Sequence, residues 1–297
     1  MRFWLLVLMA WSLHATATIR VQDDAGRQVQ LAQAARRVVA LAPHIAENLY
    51  AAGATDVLVG TVSYADYPDA AQQVLRVGSF NSFSIEAIAA TNPDLIIMWG
   101  SGNGLNALAA LETLNVPVYI SEPRTLAGIG DNLRRLGKLT GHTEQSNKAA
   151  TLFEQGIDEL RRKHRDARKL DVLFQIWHQP LQTIGSDHLI SQVIKLCGAN
   201  NAFADTTSLA PKLNIESILA RDPDAIIASG AGKGRPPWLD DWRKFTHLRA
   251  VKRDALYYVN PDHLLRHTPR LLLGATALCH KLELARQVLP SMGKHSQ

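Results

Sequence analysis

Several motifs that mark common enzymes are missing from this chain of 297 residues. It has no GxSxG nucleophile elbow, no HExxH zinc motif, no phosphate-binding P-loop and no complete GxGxxG fingerprint. The nearest approach, SGNGLN at 101–106, lacks the third glycine and is interpreted as a turn. These absences disfavour hydrolases, nucleotide-dependent enzymes and dinucleotide-dependent oxidoreductases.

Cysteine is scarce, with two residues, Cys197 and Cys279. Neither belongs to a CxxC pair, which disfavours redox catalysis and zinc–cysteine sites. In an oxidising compartment an even pair predicts one disulfide, closing a loop of about 80 residues and adding about 4–5 kcal/mol in the chain-entropy model. Two buried free thiols are the alternative.

Long apolar runs are lacking beyond the first residues. FWLLVLMAWSL at 3–13 follows the positively charged Arg2 and precedes the small residues Ala15 and Ala17. This order is typical of a cleaved secretion signal over residues 1–17, whereas a membrane anchor needs about 20 apolar residues. We therefore expect a soluble chain exported to the periplasm.

The net charge is +5, but the basic residues are scattered over predicted helix faces and turns such as 134–138 and 161–169. They are not interleaved with aromatic residues, as a nucleic-acid surface requires. No nucleic-acid partner is expected.

The chain does contain an internal repeat. IEAIAATNPDLII at 85–97 returns 130 residues later as IESILARDPDAII at 215–227. Each copy fits a short helix, which Pro93 or Pro223 ends, followed by a buried strand. Two copies of one helix–strand unit predict two similar lobes with a cleft between them.

Strands and helices alternate through both halves, which predicts parallel α/β sheets. Between the repeat copies the sequence is almost entirely helical, and Leu152, Gly156, Ile157 and Leu160 are interpreted as one stripe of an amphipathic helix. The predicted organisation is a signal peptide (1–17), an N-terminal α/β lobe (18–125), a helical connector (126–169) and a C-terminal α/β lobe (170–297).

Aromatic side chains follow the predicted strands at the sheet edge where α/β proteins bind ligands. They are Tyr64, Tyr67, Phe80, Trp99 and Trp177. Aromatic faces suit a large, flat, partly apolar ligand. Core packing is the alternative for any one of them.

Histidines occupy similar places after the strands: His44, His178, His263 and His267. A metal site needs several such side chains to converge, usually with a carboxylate. Surface or hydrogen-bonded histidines are the simpler interpretation. The corresponding alternative function is an exported metal-dependent hydrolase that uses His178, Asp187, His188 and His263.

The repeat gives each lobe an equivalent glutamate in the first turn of a helix, Glu86 and Glu216. A carboxylate there stabilises the helix dipole by about 0.3–1 kcal/mol, which is the simplest explanation. The same residue in both lobes also favours a second role, in which two exposed carboxylates dock on two basic sockets of a symmetric partner.

Six segments carry a resemblance to a known family. They are VVALAPHIAENLYAAGA (38–54), SYADYP (63–68), IMWGSGN (97–103), IKLCGANNAF (194–203), NPDHLLRHTPR (260–270) and GATALC (274–279). On these segments the chain resembles the periplasmic cobalamin-binding proteins of ABC importers, within the wider class of siderophore, haem and corrinoid binders. The resemblance runs from about Arg37 to Leu282.

The resemblance implies two α/β lobes with parallel sheets, joined by a long rigid helix and closing little on the ligand, with a disulfide between Cys197 and Cys279. It implies a binding protein without enzymatic activity or a cofactor of its own, monomeric when free, which captures cobalamin or a related corrinoid. Glu86 and Glu216 would dock on a permease dimer that works with ATPase subunits. The expected ligand contacts are Tyr64, Phe80, Trp99, Trp177, His178, Asp262, His263, Leu264, Leu265 and Arg266.

The chain departs from the family pattern where Phe80 and His263 replace a usual tryptophan and Ala210 replaces another aromatic residue. The cleft is therefore expected to be less aromatic and richer in histidine, and a histidine could coordinate cobalt or iron. Haem, a cobinamide-like corrinoid and a ferric siderophore are alternative ligands. An anionic siderophore would favour several arginines in the cleft, whereas Arg266 is the obvious candidate here.

Overall fold

A computed structural model of the protein describes residues 18–230 and 234–288, so the predicted signal peptide lies outside the described residues. The strands are β1 (Ile19–Gln22), β2 (Gln28–Leu31), β3 (Val38–Ala40), β4 (Leu58–Thr61), β5 (Gly78–Ser79), β6 (Ser82–Phe83), β7 (Leu95–Trp99), β8 (Val118–Ser121), β9 (Asp171–Gln175), β10 (Asn200–Asn201), β11 (Ala225–Ala228) and β12 (Leu256–Tyr258). The α-helices are α1 (Pro43–Ala51), α2 (Ile85–Ala90), α3 (Gly100–Asn103), α4 (Asn106–Glu112), α5 (Leu126–Thr140), α6 (Thr143–Lys163), α7 (Leu189–Leu196), α8 (Ile215–Arg221), α9 (Arg249–Lys252), α10 (Pro261–Leu264) and α11 (Leu271–Gln287). Among the described residues no helix combines the length and hydrophobicity needed to cross a membrane.

Each lobe is built on a four-stranded parallel sheet. The strand order is β4-β3-β7-β8 in the first lobe and β10-β9-β11-β12 in the second. If the four strands of each sheet are counted along the chain, the second lies at one edge and is followed by the first, third and fourth. The shared order confirms the pair of parallel α/β lobes predicted from the repeat.

The repeated segment folds into the same unit in each lobe. Ser84 caps α2 and Asn214 caps α8, each by accepting a hydrogen bond from the backbone N–H three residues on, at 3.0 and 2.9 Å. After the helices, Asn92 and Asp222 have φ angles of 47° and 41°. Both residue types tolerate this left-handed conformation, which turns the chain into β7 and β11.

The aspartate that follows each proline of the repeat ties the unit to the first strand of its lobe. Asp94 accepts hydrogen bonds from the backbone N–H groups of Arg36 and Arg37, just before β3, at 2.8 and 2.9 Å. Asp224 accepts one from the N–H of Asp171, the first residue of β9, at 2.9 Å. The repeat therefore satisfies backbone donors at the amino ends of both sheets.

The long helices between the lobes contribute to two separate hydrophobic cores. Along α5, Ile129 belongs to a core of the second lobe and Leu133, one turn later, to a core of the first. The buried side of α6 similarly runs from Ala150 in the first lobe to Phe153, Ile157 and Leu160 in the second.

The assignment of Leu152 to the apolar stripe of α6 is wrong. Leu152 is 58% exposed. The buried face continues four residues before Ile157 at Phe153 and three residues before that at Ala150, so Leu152 falls on the solvent side.

The cysteines are joined in the second lobe. Cys197, directly after α7, is disulfide-bonded to Cys279 of α11, 82 residues later. The predicted disulfide is confirmed, and it fastens α7 to the last described helix of the chain.

Candidate ligand-binding site

A cavity of about 850 Å³ lies between the two lobes. Its volume is in the upper part of the range of ~300–1,000 Å³ that is usual for small-molecule sites. It is lined by Pro43, His44, Tyr64, Asp66, Phe80, Trp99, Ile176, Trp177, Gln182, Pro261, Asp262, Leu265 and Arg266.

The carboxyl ends of strands from both sheets supply this lining. In the first lobe Tyr64 follows β4 and Trp99 ends β7, and in the second lobe Trp177 follows β9 and Asp262 follows β12. Parallel strands end at one edge of their sheet, and that edge is where open α/β sheets bind ligands. The cavity therefore joins the binding edges of two sheets.

The structure brings seven of the ten predicted ligand contacts together in this cavity. They are Tyr64, Phe80, Trp99, Trp177, Asp262, Leu265 and Arg266. The lining residues that the prediction omitted are Pro43, His44, Asp66, Ile176, Gln182 and Pro261.

Two members of the predicted run 262–266 lie elsewhere. Residues spaced i, i+3 and i+4 share a helix face, so Asp262, Leu265 and Arg266 reach the cavity from α10 and the turn after it. Leu264 was expected to contact the ligand, and the structure places it in the core of the second lobe, 0% exposed. The side chain of His263 is also absent from the lining.

His178, another expected ligand contact, lies beside the main cavity. Its ring stacks on Trp238 with centroids 5.3 Å apart and an angle of 6° between the planes. It lines a side pocket of about 230 Å³ that shares Ile176 and Trp177 with the main cavity. The neighbouring carboxylate is that of Asp241, at 3.6 Å from Nε2.

Three rings form one wall of the cavity. The ring centroid of Trp99 lies 5.8 Å from that of Phe80 and 5.0 Å from that of His44, the latter edge to face. Asn103 fixes this wall, because its Oδ1 accepts from the backbone N–H of Trp99 at 2.6 Å and its Nδ2 donates to the carbonyls of Leu41, at 2.9 Å, and Phe80. Sequence reasoning missed Asn103; an amide four residues after a buried strand was the available signal.

A glycine is required beside Trp99. A Cβ atom at Gly102 would lie 1.8 Å from Cε3 of the indole. Gly102 lies in α3, the short helix after β7, and its missing side chain lets the indole rest against the backbone. The indole Nε1 also donates to Glu122 at 3.4 Å, so the ring is held from two sides.

Two further aromatic side chains extend into solvent at the cavity. Tyr64 is 75% exposed and has a φ of 66°, and Trp177 is also exposed while its Nε1 donates to the carbonyl of Gln179 at 2.9 Å. Exposed aromatic rings around a concave surface are typical of a binding site.

His44 is a buried, neutral side chain in the cavity wall. Pro43 is the first residue of α1, where a missing N–H costs no helical hydrogen bond, and this places His44 in the first turn. Burial, followed by the nearby charges of His267 and Arg266, lowers the pKa of His44 to about 3. Its Nε2 is buried without a hydrogen-bond partner among the described residues.

The charged side chains of the cavity meet at Arg266. Its guanidinium group lies 2.9 Å from Asp66, 3.1 Å from Asp262 and 3.6 Å from Glu47. Burial opposes the charge on Arg266, but the hydrogen bond with Asp66 and the three carboxylate charges outweigh it and raise its pKa.

Glu47 joins the lobes behind the cavity wall. It lies on α1 and is 2% exposed. Thr268 donates its hydroxyl to the carboxylate, and Arg270 lies 3.3 Å away. Burial raises the pKa of Glu47, while these two donors and Arg266 favour its ionised form. Arg270 also covers the ring of Tyr67 at 3.8 Å, so a mainly polar contact connects the first lobe to the segment before α11.

The groups needed by the alternative hydrolase do not converge. His188 accepts from the backbone N–H of Ile190 at 3.1 Å and caps α7, Asp187 accepts from the hydroxyl of Ser186 at 3.0 Å, and His178 is stacked on Trp238. Across residues 18–230 and 234–288, no three histidine, cysteine or acidic side chains are grouped so as to hold a metal ion.

The chain has extended similarity to known proteins. A protein-family model described as periplasmic binding protein matches residues 38–263. The vitamin B12-binding protein of Vibrio cholerae is 35% identical over 253 residues, which cover 85% of this chain and 91% of that protein. The vitamin B12-binding protein of Pectobacterium atrosepticum is 36% identical over 252 residues, which cover 83% and 88%.

The three-dimensional comparison agrees. The crystal structure of the periplasmic vitamin B12-binding protein BtuF of Vibrio cholerae superposes with a TM-score of 0.78 at 35% identity, covering 85% of this chain and 98% of that one.

Proposed function

This chain belongs to the periplasmic binding protein family, and we propose that it captures cobalamin or a closely related corrinoid in the cleft between its lobes. Membership of a family of binding proteins confirms the prediction that the protein is not an enzyme. The choice of ligand is carried by one observation, a cavity that combines aromatic rings with an excess of carboxylates. The vitamin B12-binding relatives support the same choice.

The aromatic rings suit a macrocycle. Trp99 and Phe80 on the first lobe face a cavity that Trp177 lines from the second. Each such ring contributes a large contact area at little cost in conformational freedom. A flat corrin ring placed between the lobes would cover aromatic surface on both sides.

The charges favour a corrinoid over haem or a siderophore. The rim of cobalamin carries acetamide and propionamide groups, whose N–H donors match the carboxylates of Asp66 and Asp262. Haem propionates and most siderophores bring negative charge. Arg266, the basic side chain among the described lining residues, is already paired with carboxylates.

Titration calorimetry with the visible spectrum recorded in parallel tests the ligand. We expect one cyanocobalamin per chain with submicromolar affinity, and much weaker binding of haemin and of a ferric siderophore. Trp99→Ala should weaken cyanocobalamin binding about tenfold, since an aromatic contact contributes ~0.5–1.5 kcal/mol. Leu152→Ala, on the exposed side of α6, is the control. Tight haemin binding without cyanocobalamin binding would replace the corrinoid by haem.

We further propose that the protein delivers its ligand to the permease dimer of an ABC importer, driven by ATPase subunits, and docks through Glu86 and Glu216. Both glutamates are exposed in the first turns of equivalent helices. The pKa of Glu86 is lowered by its own backbone N–H and by the Ser84 hydroxyl, which donates to its carboxylate at 2.8 Å. This support keeps the carboxylate ionised and oriented.

Charge reversal at both positions tests the docking. Glu86→Lys with Glu216→Lys should abolish stimulation of the importer's ATPase by the loaded protein, while the affinity for cyanocobalamin stays unchanged. Glu144→Lys changes another exposed first-turn glutamate, on α6, and is the matched control. A fall in ligand affinity in the double variant would contradict this division of roles.

The relatives are periplasmic binding proteins, and we propose the same compartment here, reached by removal of residues 1–17. Mass spectrometry of the exported protein should then give a chain that begins at Thr18. Light scattering should give a monomer in the absence of the permease.

A further inference from the structure

Arg266 is surrounded by carboxylates in the cavity wall. Asp66 and Asp262, which themselves line the cavity, lie 2.9 and 3.1 Å from its guanidinium group, and the buried Glu47 approaches from behind at 3.6 Å. A guanidinium group recognises a carboxylate through a planar pair of donors. In this cavity the N–H donors of Arg266 already point to the carboxylates of Asp66 and Asp262.

The local charge balance is negative. Arg266 and Arg270 supply two guanidinium groups, whereas Glu47, Asp66 and Asp262 supply three carboxylates. His44, in the same cavity, is neutral because of its burial. Charges in a cleft interact more strongly than charges in bulk water, so an anionic group entering beside Arg266 meets net repulsion.

We propose that Glu47, Asp66 and Asp262 make the cleft selective for ligands with an uncharged rim, so that corrinoids with only amide side chains bind and those with free carboxylates are rejected. The inference rests on the proposed function and names the class of corrinoid within it. Glu47 acts as a positioning residue, because it reaches the ligand only through Arg266.

The selectivity follows from hydrogen bonding as well as charge. A primary amide donates N–H groups to Asp66 or Asp262, whereas an ionised carboxylate only accepts. When a carboxylate replaces the amide on the ligand, the hydrogen bond is lost and two acceptor groups, one on the ligand and one on the protein, face each other. A site built around a hydrogen bond discriminates strongly against a ligand that lacks the matching group.

The test compares cyanocobalamin with its monocarboxylic acid, in which one propionamide has been hydrolysed. Calorimetry at low salt should show that the wild-type protein binds the acid at least about tenfold more weakly, a factor that corresponds to one like-charge contact in a partly solvated cleft. The quantity compared between variants is the ratio of the affinity for cyanocobalamin to the affinity for the acid. Asp66→Asn should shrink this ratio several-fold, because it frees Arg266 from its nearest carboxylate. The ratio is informative because a general loss of folding lowers both affinities together.

Three variants sharpen the result. Glu47→Gln should also shrink the ratio. If the loss of this buried charge unfolds the Glu47→Gln variant, Asp66→Asn provides the test by itself. Arg266→Met should preserve or increase the ratio, since it removes the guanidinium group that lines the cavity. Asp205→Asn breaks a carboxylate–arginine pair outside the cavity, at 2.6 Å from Arg221, and should leave the ratio unchanged.

The outcomes separate the inference from the proposed function. Equal binding of amide and acid by the wild type, or an unchanged ratio in Asp66→Asn, overturns the selectivity while cyanocobalamin binding stands. Absence of cyanocobalamin binding to the wild type overturns both.

Discussion

At the scale of single residues, the cleft depends on small side chains that hold larger ones. Gly102 leaves room for the indole of Trp99, and Asn103 ties the end of β7 to Leu41 and to Phe80. A ring fixed before binding loses little freedom when the ligand arrives, so more of the contact energy contributes to affinity.

Gly102→Ala should therefore weaken ligand binding. The new Cβ would lie 1.8 Å from the indole, so the ring must move away from its place in the wall. We expect about a tenfold loss of cyanocobalamin affinity and a changed tryptophan emission spectrum. Asn106→Ala, an exposed change in the following helix, should alter neither. Unchanged affinity in Gly102→Ala would show that the position of the indole does not matter.

The sequence revealed residues whose position in the cavity follows from a strand end, and missed those whose position depends on distant contacts. Tyr64, Trp99 and Trp177 were predictable because the carboxyl ends of parallel strands share one edge. Glu47 was not, because its hydroxyl donor, Thr268, is 221 residues away in the chain. Nothing local in the sequence indicates such a pair.

At the scale of elements, the two halves of the repeat are held by the same local chemistry. α2 and α8 have side-chain caps at equivalent positions, and each ends in a left-handed residue before the strand. Each cap fixes the first turn of its helix, and that turn carries Glu86 or Glu216. The caps therefore orient the proposed docking residues.

Asn214→Ala should destabilise the protein by about 1 kcal/mol, the usual effect of removing a helix cap. Asn214→Ser retains a capping oxygen and should restore most of the stability. Urea unfolding measures the stability of both variants. Stimulation of the importer's ATPase should also fall in Asn214→Ala, because α8 carries the docking residue Glu216. Equal stability of wild type and Asn214→Ala would mean that the cap does not hold this helix.

Periodicity explains both a success and an error at this scale. The repeated helix–strand unit was visible in the sequence because proline, capping and buried-strand signals coincide. The run 262–266 was predicted as a continuous contact surface, yet α10 turns Leu264 into the core while Asp262 and Arg266 face the cleft. A helix one turn long offers too few residues for its buried face to be assigned from sequence.

At the scale of the whole molecule, three histidines lie in a row between the lobes. The ring of His267 is 6.4 Å from those of His44 and His188. Burial is the main cause that lowers the pKa of each, to about 3 for His44 and about 4 for His188. Since the ordinary value is 6.5, the unfolded chain binds more protons than the native protein as the pH falls below it.

The protein should therefore lose stability on acidification between about pH 6.5 and pH 4. His188→Asn keeps a capping side chain for α7 but removes one titrating group. The dependence of the free energy of unfolding on pH should therefore become less steep, by up to about 1.4 kcal/mol per pH unit. Urea unfolding at a series of pH values measures the slope. His247→Asn, at an exposed position, should not change it. An identical slope in His188→Asn would contradict the assignment.

The two hydrophobic cores meet along α5, where Ile129 and Leu133 lie one turn apart. Folding cooperativity can therefore pass from lobe to lobe through the connecting helices and does not depend on apolar contacts across the cleft. Tyr64 and Trp177 are exposed in the cleft and belong to none of the hydrophobic cores of the described residues, so they are freer to change. Evolution of a new ligand preference on this scaffold can proceed through side chains such as Tyr64 and Trp177 with little risk to the folded state.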